Sequence, residues 1–152
     1  MTRAFLGLGT NLGDRRGELR RAIATLSAAG DVVAVSSLYE TEPVGGPPQD
    51  DFLNVVVELD TDNTPEELLA RCQDLEVQAK RRRTVRNGPR SLDADVLYVD
   101  GAVRTTAELT VPHPRMWERR FVLAPLRELA PDLVSEDAEA AAGGSVTLVG
   151  TL

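Results

Sequence analysis

The sequence predicts an α+β fold, a ferredoxin-like β-α-β-β-α-β sandwich with an antiparallel sheet and an additional C-terminal helix. Two observations predict it. The first is that four segments are short, apolar and extended in character. The second is that apolar residues recur at helical spacing in two further segments, one after the first extended segment and one after the third. A length of 152 residues with 42% hydrophobic content is enough for one domain, 1–152, with its own core.

The first half of the chain predicts a strand, a helix and a second strand. Residues 4–9 form a short buried strand, and a glycine-rich turn then leads to Asp14 as the N-cap of a helix that ends at Gly30. Residues 32–40 are rich in β-branched side chains and predict the second strand. The segment 42–48 contains three prolines and two glycines, which predicts a loop.

The second half predicts the same order again. In 52–60 the odd-numbered residues are all apolar, so they face one side of the sheet and the even-numbered residues face the other. Thr64–Glu67 has the pattern of a capping box that begins the second helix. A strand over 92–99 and a helix over 121–130 follow, and residues 131–152 are expected to form a weakly structured extension.

Composition excludes several classes of protein. The formal net charge of −7 argues against general affinity for nucleic acids or anionic membranes. The single Cys72 forms no internal disulfide, and one histidine with one cysteine is too few for a zinc site of these ligands. The short apolar run at the N-terminus predicts neither a signal peptide nor a membrane span, so we expect a cytoplasmic protein.

One segment opposes this acidic background. Six basic residues lie between Lys80 and Arg90 with no acidic residue among them, and Asp93 and Asp95 follow directly. The two aspartates are two residues apart on a predicted strand, so both carboxylates project from one face. Carboxylates bind magnesium and arginines bind phosphate oxygens, so the segment indicates a site for a magnesium-bound polyphosphate. The alternatives are a solvated charged loop beside a polar strand edge, or a nucleic-acid patch, although no aromatic residue is interleaved for base stacking.

Two other groups of residues favour ligand binding. His113 lies between two prolines with Arg115 and Arg119 close in sequence, so a rigid loop could present its imidazole to a phosphate. Phe52 and Asn54 share one face of their strand, and an aromatic ring beside an amide suits a flat heteroaromatic ligand. Core packing is the alternative for Phe52, and a structural role is the alternative for His113.

Taken together, these segments resemble the 6-hydroxymethyl-7,8-dihydropterin pyrophosphokinase family of folate biosynthesis. The most specific are Gly88-Pro89-Arg90-Ser91-Leu92-Asp93-Ala94-Asp95 and Val111-Pro112-His113-Pro114. The other matching segments are 8–14, 36–43, 52–54, Glu76 and 118–126. The resemblance extends from about Ala4 to Pro131, with Phe52 and Asn87 where the family often has Tyr and an aromatic residue.

The resemblance implies transfer of pyrophosphate from ATP to the hydroxymethyl group of the pterin. It implies that Asp93 and Asp95 hold two Mg²⁺ ions and act in catalysis together with Arg81, Arg83 and Arg90. It implies an ATP site formed by Glu76, Arg81, Arg83, Arg90, Val96, Thr110, His113 and Arg119. It implies a pterin site formed by Thr41, Pro43, Val44, Phe52, Asn54, Asp93 and Phe121. The expected partners are these two small molecules, with no nucleic acid and no membrane, and the expected state is a monomer.

Two other functions are alternatives to this one. A phosphotransferase for another small heterocycle on a similar fold would release ADP instead of AMP. An RNA-binding module on a ferredoxin-like sheet would need stacking aromatic residues on the sheet face and a basic overall charge. The chain shows neither feature clearly.

Overall fold

The computed structural model describes residues 1–43, 49–82 and 92–152. Within these ranges the chain forms one six-stranded sheet, one two-stranded sheet and helices on both faces of the larger sheet. The strands are β1 (Thr2–Thr10), β2 (Val32–Val35), β3 (Leu38–Thr41), β4 (Phe52–Thr61), β5 (Asp93–Val99), β6 (Arg104–Thr105), β7 (Thr110–Val111) and β8 (Thr147–Gly150). The helices are α1 (Arg15–Ser27), α2 (Pro65–Arg82), α3 (Arg120–Leu129) and α4 (Glu136–Ala141), with a 3₁₀ helix at Met116–Glu118.

The large sheet is antiparallel throughout and has the order β5-β1-β4-β3-β8, with β2 also paired to β4. β1 and β4 are therefore the central strands, and their pairing runs without interruption from Thr2 opposite Thr61 to Thr10 opposite Leu53. The prediction of a mixed fold with helices and an antiparallel sheet is confirmed.

Each face of the sheet has its own hydrophobic core. Leu6, Leu53 and Val57 belong to the core on one face, which includes residues of α1 and α2. On the other face, Phe5 and Val56 belong to a smaller core with residues of α3. The predicted alternation along β4 is confirmed, because burial of its odd-numbered residues with the first core leaves Phe52, Asn54 and Val56 on the second face.

The predicted helix starts are confirmed in their hydrogen bonds. Asp14 accepts a bond from the backbone N–H of Gly17 at 3.0 Å and caps α1. Thr64 and Glu67 form the reciprocal capping box of α2, with bonds of 2.9 and 3.1 Å. Gly30 follows α1 with a φ of 82°, a conformation that favours glycine.

The segment predicted as one strand over 32–40 is divided into β2 and β3. At the break, Ser36 is buried, and its Oγ accepts the backbone N–H of Val56 at 2.9 Å. The Ser36 backbone N–H donates to the carbonyl of Val56 at the same distance. A hydroxyl thus replaces a backbone acceptor at this point, which explains why regular pairing stops and resumes.

Residues 131–152, for which the sequence predicts a weakly structured extension, include α4 and β8. Ser135 caps α4 by accepting the N–H of Ala138, and β8 pairs with β3 at the edge of the sheet. α3 spans nearly the predicted range, with Pro125 inside it. None of the helices in the described ranges has the length and apolar character needed to cross a membrane.

Candidate active site

A cavity of about 1000 Å³ lies on the second face of the sheet, where α3 and α4 leave part of the sheet uncovered. Strands β1, β4 and β5 form its floor, and the segment from His113 to Val122 borders it. Most of the predicted site residues that the structure describes line this cavity. They are Thr41, Pro43, Phe52, Asn54, Asp93, Asp95, His113, Arg119 and Phe121.

Two glycines of β1 leave the middle of the cavity floor without side chains. Gly9 lies between Asp93 and Asn54 in the sheet register, and Gly7 lies between Asp95 and Val56. A Cβ at Gly9 would come within 2.7 Å of the side-chain oxygen of Asn54. Because residue 9 is glycine, no side chain of β1 separates the Asn54 amide from Asp93 on β5 within the cavity.

The acidic pair stands at the β5 side of the cavity. Asp93 and Asp95 alternate with the buried Ala94 and Val96, so both carboxylates lie on the cavity face as the sequence predicts. Asp95 is exposed and Asp93 is partly buried. Two carboxylates are thus adjacent on the β5 wall of the cavity, and the uncharged Phe52 lines it from β4.

These residues fit a magnesium site of the kind that binds together with a polyphosphate. In the described ranges no group of three or more carboxylate, histidine or cysteine side chains converges on one point. Mg²⁺ commonly takes one or two carboxylates and completes its octahedron with water and phosphate oxygens. Two hard oxygen donors at the edge of a large open cavity match that chemistry.

His113 is held by one hydrogen bond of its own backbone and by one hydrogen bond to its ring. Its backbone N–H donates to the carbonyl of Leu97 at 2.8 Å, which fixes the residue beside β5. Its Nδ1 accepts the backbone N–H of Arg115 at 3.2 Å. Burial lowers the pKa of His113, and Arg119 and Arg115 act in the same direction, while Asp95 partly opposes them. A neutral imidazole with its proton on Nε2 satisfies this arrangement and can donate to an anionic ligand.

The arginines after His113 divide into two groups. Arg115 and Arg119 line the cavity, and the Arg119 guanidinium lies 5.6 Å from the centre of the Phe121 ring. Arg120 instead donates to the carbonyls of Glu139 and Ala140 at the end of α4. Arg119 therefore places a positive charge in the cavity beside the ring of Phe121. Arg120 instead attaches the start of α3 to the end of α4.

The opposite end of the cavity is aromatic and amide-lined. Phe52 of β4 and Phe121 of α3 both border it, and Asn54 is buried. The Asn54 amide donates to Thr41 Oγ at 3.3 Å, and Thr41 is also buried. Uncharged hydrogen-bonding groups in a cavity that also has two aromatic side chains suit a flat, polar heterocycle.

Four described residues of the predicted ATP site lie apart from the cavity lining, and Arg81 at the end of α2 is one of them. Glu76 on α2 accepts the backbone N–H of Ala94 at 2.9 Å and so holds β5 from the first face of the sheet. Val96 is buried in the core on that face, and Thr110 is in β7.

The basic segment is described only at its start. Arg81 is exposed in the last turn of α2. The predictions for Arg83, Arg90 and Val44 concern residues that lie outside the described ranges.

The cavity also contains residues that were not predicted as site residues. Gly7, Gly9, Arg115 and Glu118 line it, as does the segment 143–145. The glycines at alternate positions of β1 carried a usable signal, because side chains missing from one face of a central strand leave room for a ligand. Arg115 adjoins the Pro-His-Pro motif, whereas nothing local in the sequence marks the segment 143–145.

The fold and the cavity thus define an α+β protein whose large cavity is lined by two aspartates of β5, by His113 and Arg119, and by Phe52 and Phe121. The family model for 7,8-dihydro-6-hydroxymethylpterin-pyrophosphokinase (HPPK) matches residues 5–131. The chain belongs to this family.

Named relatives agree over most of the chain. The Bacillus subtilis 2-amino-4-hydroxy-6-hydroxymethyldihydropteridine pyrophosphokinase is 48% identical over 135 residues, which cover 88% of this chain and 81% of the relative. The enzyme of the same name from Methylorubrum extorquens is 48% identical over 136 residues, which cover 88% and 86%.

Solved structures support the fold. An HPPK-DHPS crystal structure in complex with substrates superposes with a TM-score of 0.67 at 13% identity, and the match covers 92% of this chain and 42% of the other. Wild-type Plasmodium falciparum HPPK-DHPS with pterin and p-hydroxybenzoate superposes with a TM-score of 0.60 at 18% identity, covering 86% and 40%. The chain thus spans less than half the length of these two chains.

Proposed function

We infer that this chain is a 6-hydroxymethyl-7,8-dihydropterin pyrophosphokinase. It transfers pyrophosphate from ATP to the hydroxymethyl group of the pterin and releases AMP, a step of folate biosynthesis. The observation that carries this conclusion is the family match over 5–131, supported by one cavity lined both by the acidic pair and by Phe52 and Phe121. The acidic pair lies in one half of the cavity, and the aromatic side chains lie in the other half.

The pterin occupies the half formed by Phe52, Asn54, Thr41, Pro43 and Phe121. Its ring stacks on the aromatic side chains, and its amide-like edge bonds to the buried Asn54 and Thr41. Val44 completes this pocket, and Asp93 lies at its boundary with the phosphate half. Phe52 supplies a stacking face without a hydroxyl, so hydrogen bonding depends on the other groups.

ATP occupies the half beside β5. His113 donates from Nε2 to a phosphate oxygen, and Arg119 balances phosphate charge where the two substrates meet. Arg81, Arg83 and Arg90 contact the triphosphate from the basic segment. Glu76, Val96 and Thr110 shape the nucleotide site, in the case of Glu76 by holding the backbone of β5.

Asp93 and Asp95 would hold two magnesium ions. When bound, these ions neutralise phosphate charge and favour deprotonation of the attacking hydroxyl. The two carboxylates are suited to this because β5 fixes them on one face, and because the register with Gly7 and Gly9 leaves space beside them.

The residues of the chain act by positioning and by charge. The pterin pocket points the hydroxymethyl oxygen at the β-phosphorus, and the arginines and His113 hold the triphosphate in line with it. Negative charge that develops on the departing AMP is met by guanidinium groups. No side chain needs to serve as a covalent nucleophile, which agrees with a buried Cys72 whose pKa is raised to about 12 mainly by desolvation.

Several finer features follow from this assignment. The ferredoxin-like arrangement consists of the neighbouring strands β5, β1 and β4, the strands β2 and β3 that pair with β4, and the helices α1 and α2. Strand β8 adds a further strand to it. The protein acts as a monomer in the cytoplasm on two small molecules, without nucleic acid or membrane. The cavity of about 1000 Å³ is lined by residues of one chain, which supports this assignment.

Identification of the nucleotide product tests the proposed function. The purified protein is incubated with ATP, Mg²⁺ and 6-hydroxymethyl-7,8-dihydropterin, and the products are separated and weighed by mass spectrometry. We expect AMP and a pterin carrying a diphosphate in equal amounts. ADP with a pterin monophosphate would instead identify a different phosphotransferase.

A further inference from the structure

The residues 143–145 form a wall of the cavity, although they lie beyond the residues 5–131 that match the family model. Gly143 pairs with Arg119 in a parallel bridge, its N–H donates to the carbonyl of Glu118 at 3.0 Å, and its carbonyl accepts the N–H of Arg120 at 3.1 Å. The segment is therefore attached directly to the residues that precede Phe121.

Contacts on both sides of the segment keep it in place. Before it, the carbonyls of Glu139 and Ala140 accept bonds from the Arg120 guanidinium, and Ala142 is buried in the core under α3. After it, Thr147 of β8 pairs with Glu40 of β3. The chain thus passes from the start of α3 to the edge of the sheet, next to the strand that ends at Thr41.

These anchors place the segment at the pterin half of the cavity. Its bonds to Glu118 and Arg120 bring it next to Phe121. Strand β8, which follows it, begins opposite Glu40, the neighbour of Thr41. The acidic pair instead belongs to β5, at the opposite end of the strand order. Gly143 and Gly144 have no side chains to fill the space, and Gly144 has a φ of 94°, where glycine is favoured. Ser145 is the first residue of the wall that carries a side chain.

We propose that the segment Gly143–Ser145 is a specificity-determining wall of the pterin site, and that Ser145 limits the size of the heterocycle that the site accepts. The inference rests on the proposed function and extends it to residues outside the family match. Small residues at 143–145 leave room for a bicyclic ring between Phe121 and Thr41. A large side chain at 145 would occupy that room, at the end of the strand order away from Asp93 and Asp95.

The test enlarges Ser145 in steps and compares it with a neighbour outside the cavity. S145A, S145L and S145W are prepared, and T147W serves as the matched control because Thr147 is exposed on β8 and does not line the cavity. KM is measured separately for the pterin and for ATP, with kcat, and the melting temperature checks that each variant is folded.

We expect the KM for the pterin to rise with side-chain size, by about tenfold or more in S145W, because overpacking a formed pocket is costly. The KM for ATP and the behaviour of T147W should remain near wild type. If the wild type is active and S145W and T147W have equal KM values for the pterin, the proposed role of Ser145 is wrong and the proposed function is unaffected. A wild type that forms no pterin diphosphate would overturn both.

Hydrogen exchange of the wild type gives a second reading that does not depend on any variant. Addition of 6-hydroxymethyl-7,8-dihydropterin should slow exchange of the backbone amides at 143–146 and leave those of α4 unchanged. Exchange at 143–146 that is the same with and without the pterin would contradict the proposal, even if S145W had lost activity through misfolding.

Discussion

The chemistry of the cavity depends on a few residues whose surroundings fix their charge and direction. Asp95 is exposed on β5 and contributes little to the core, so its carboxylate is available to a ligand. His113 is held by two backbone bonds and has a lowered pKa because of burial. Both residues line the cavity, Asp95 on β5 and His113 beside this strand through its bond to Leu97.

Replacement of Asp95 by Asn tests the metal-binding role at nearly constant size. We expect turnover to fall by about three orders of magnitude, since the loss of a magnesium ligand removes several kcal/mol of transition-state stabilisation. The melting temperature should stay near wild type, because Asp95 is exposed. The control is D100N, which removes an exposed carboxylate at the far end of β5. Wild-type turnover of D95N at saturating Mg²⁺ would refute the assignment.

The charge of His113 can be read directly because it is the only histidine of the chain. Burial lowers its pKa below the ordinary value of 6.5, so the folded protein keeps the imidazole neutral to a more acidic pH than the unfolded chain. As the pH falls through this window the unfolded state gains protons first, and stability therefore decreases. An NMR titration should give a midpoint below 6.5 and the Nε2–H tautomer. A midpoint above 6.5 would contradict the lowering of the pKa by burial.

Gly9 shows how a missing side chain contributes to the site. In G9A the new methyl group would lie 2.7 Å from the Asn54 side-chain oxygen, so Asn54 must move from its place beside Thr41. We expect the KM for the pterin to rise about tenfold, with a smaller change in the KM for ATP. G7A is the comparison, because its methyl group would meet Leu97 carbons at 3.3 Å and displace no polar group. An unchanged pterin KM in G9A would argue against the Asn54 contact.

At the scale of the elements, the site exists because α3 is held over one edge of the sheet. Glu128 on α3 accepts bonds from the backbone and hydroxyl of Ser37 and from the Tyr39 hydroxyl. Although partial burial raises the pKa of Glu128, these bonds outweigh it and the net pKa is lowered. Burial and the same bond raise the pKa of Tyr39. The contact fixes the end of α3 opposite the end that carries Phe121.

On the other face, an ion pair joins α2 to the turn after α1. Arg71 donates to both carboxylate oxygens of Asp31, at 2.7 and 3.0 Å, and to the carbonyl of Leu26 at 3.1 Å. Hydrogen bonding from Arg71 lowers the pKa of Asp31 against the effect of burial. The stabilisation is therefore complete above the unfolded-state pKa and is lost as the pH falls through the folded-state pKa.

D31N should therefore reduce the free energy of unfolding at pH 7 by about 1–3 kcal/mol, because the side chains of both partners are largely buried. Substrate KM values should not change, since the pair lies far from the cavity lining. Chemical denaturation at several pH values checks this, and the difference from wild type should shrink in acid. D62N, at an exposed ion pair with the N-terminus, is the control. Equal stability of D31N and D62N would contradict the prediction.

Elements with strong local signals could be predicted from the sequence, and elements that depend on distant contacts could not. The caps of α1 and α2 and the alternation of β4 are properties of a few adjacent residues. α4 has only six residues and none of them is buried, so no apolar pattern marks it. The break at Ser36 depends on a bond to Val56, which is not visible in the segment 32–40 itself.

At the scale of the whole molecule, the site divides in the same way. The common orientation of Asp93 and Asp95 could be predicted because residues two apart on one strand share a face. The position of His113 at the cavity could be predicted because its motif is specific. Segment 143–145 reaches the cavity through the bridge between Gly143 and Arg119 and the pairing of β8 with β3, and both depend on the tertiary fold. A cavity that no single element encloses can be located only when the sheet, α3 and the C-terminal segment are placed together.

The central claim is that one cavity holds the triphosphate at the acidic pair and the pterin at the aromatic end. A crystal structure with Mg²⁺, a nonhydrolysable ATP analogue and 6-hydroxymethyl-7,8-dihydropterin tests it most directly. The account predicts metal ions between the phosphates and Asp93 and Asp95, with the pterin ring between Phe52 and Phe121. A triphosphate bound away from the two aspartates, or a pterin outside the aromatic pocket, would contradict it.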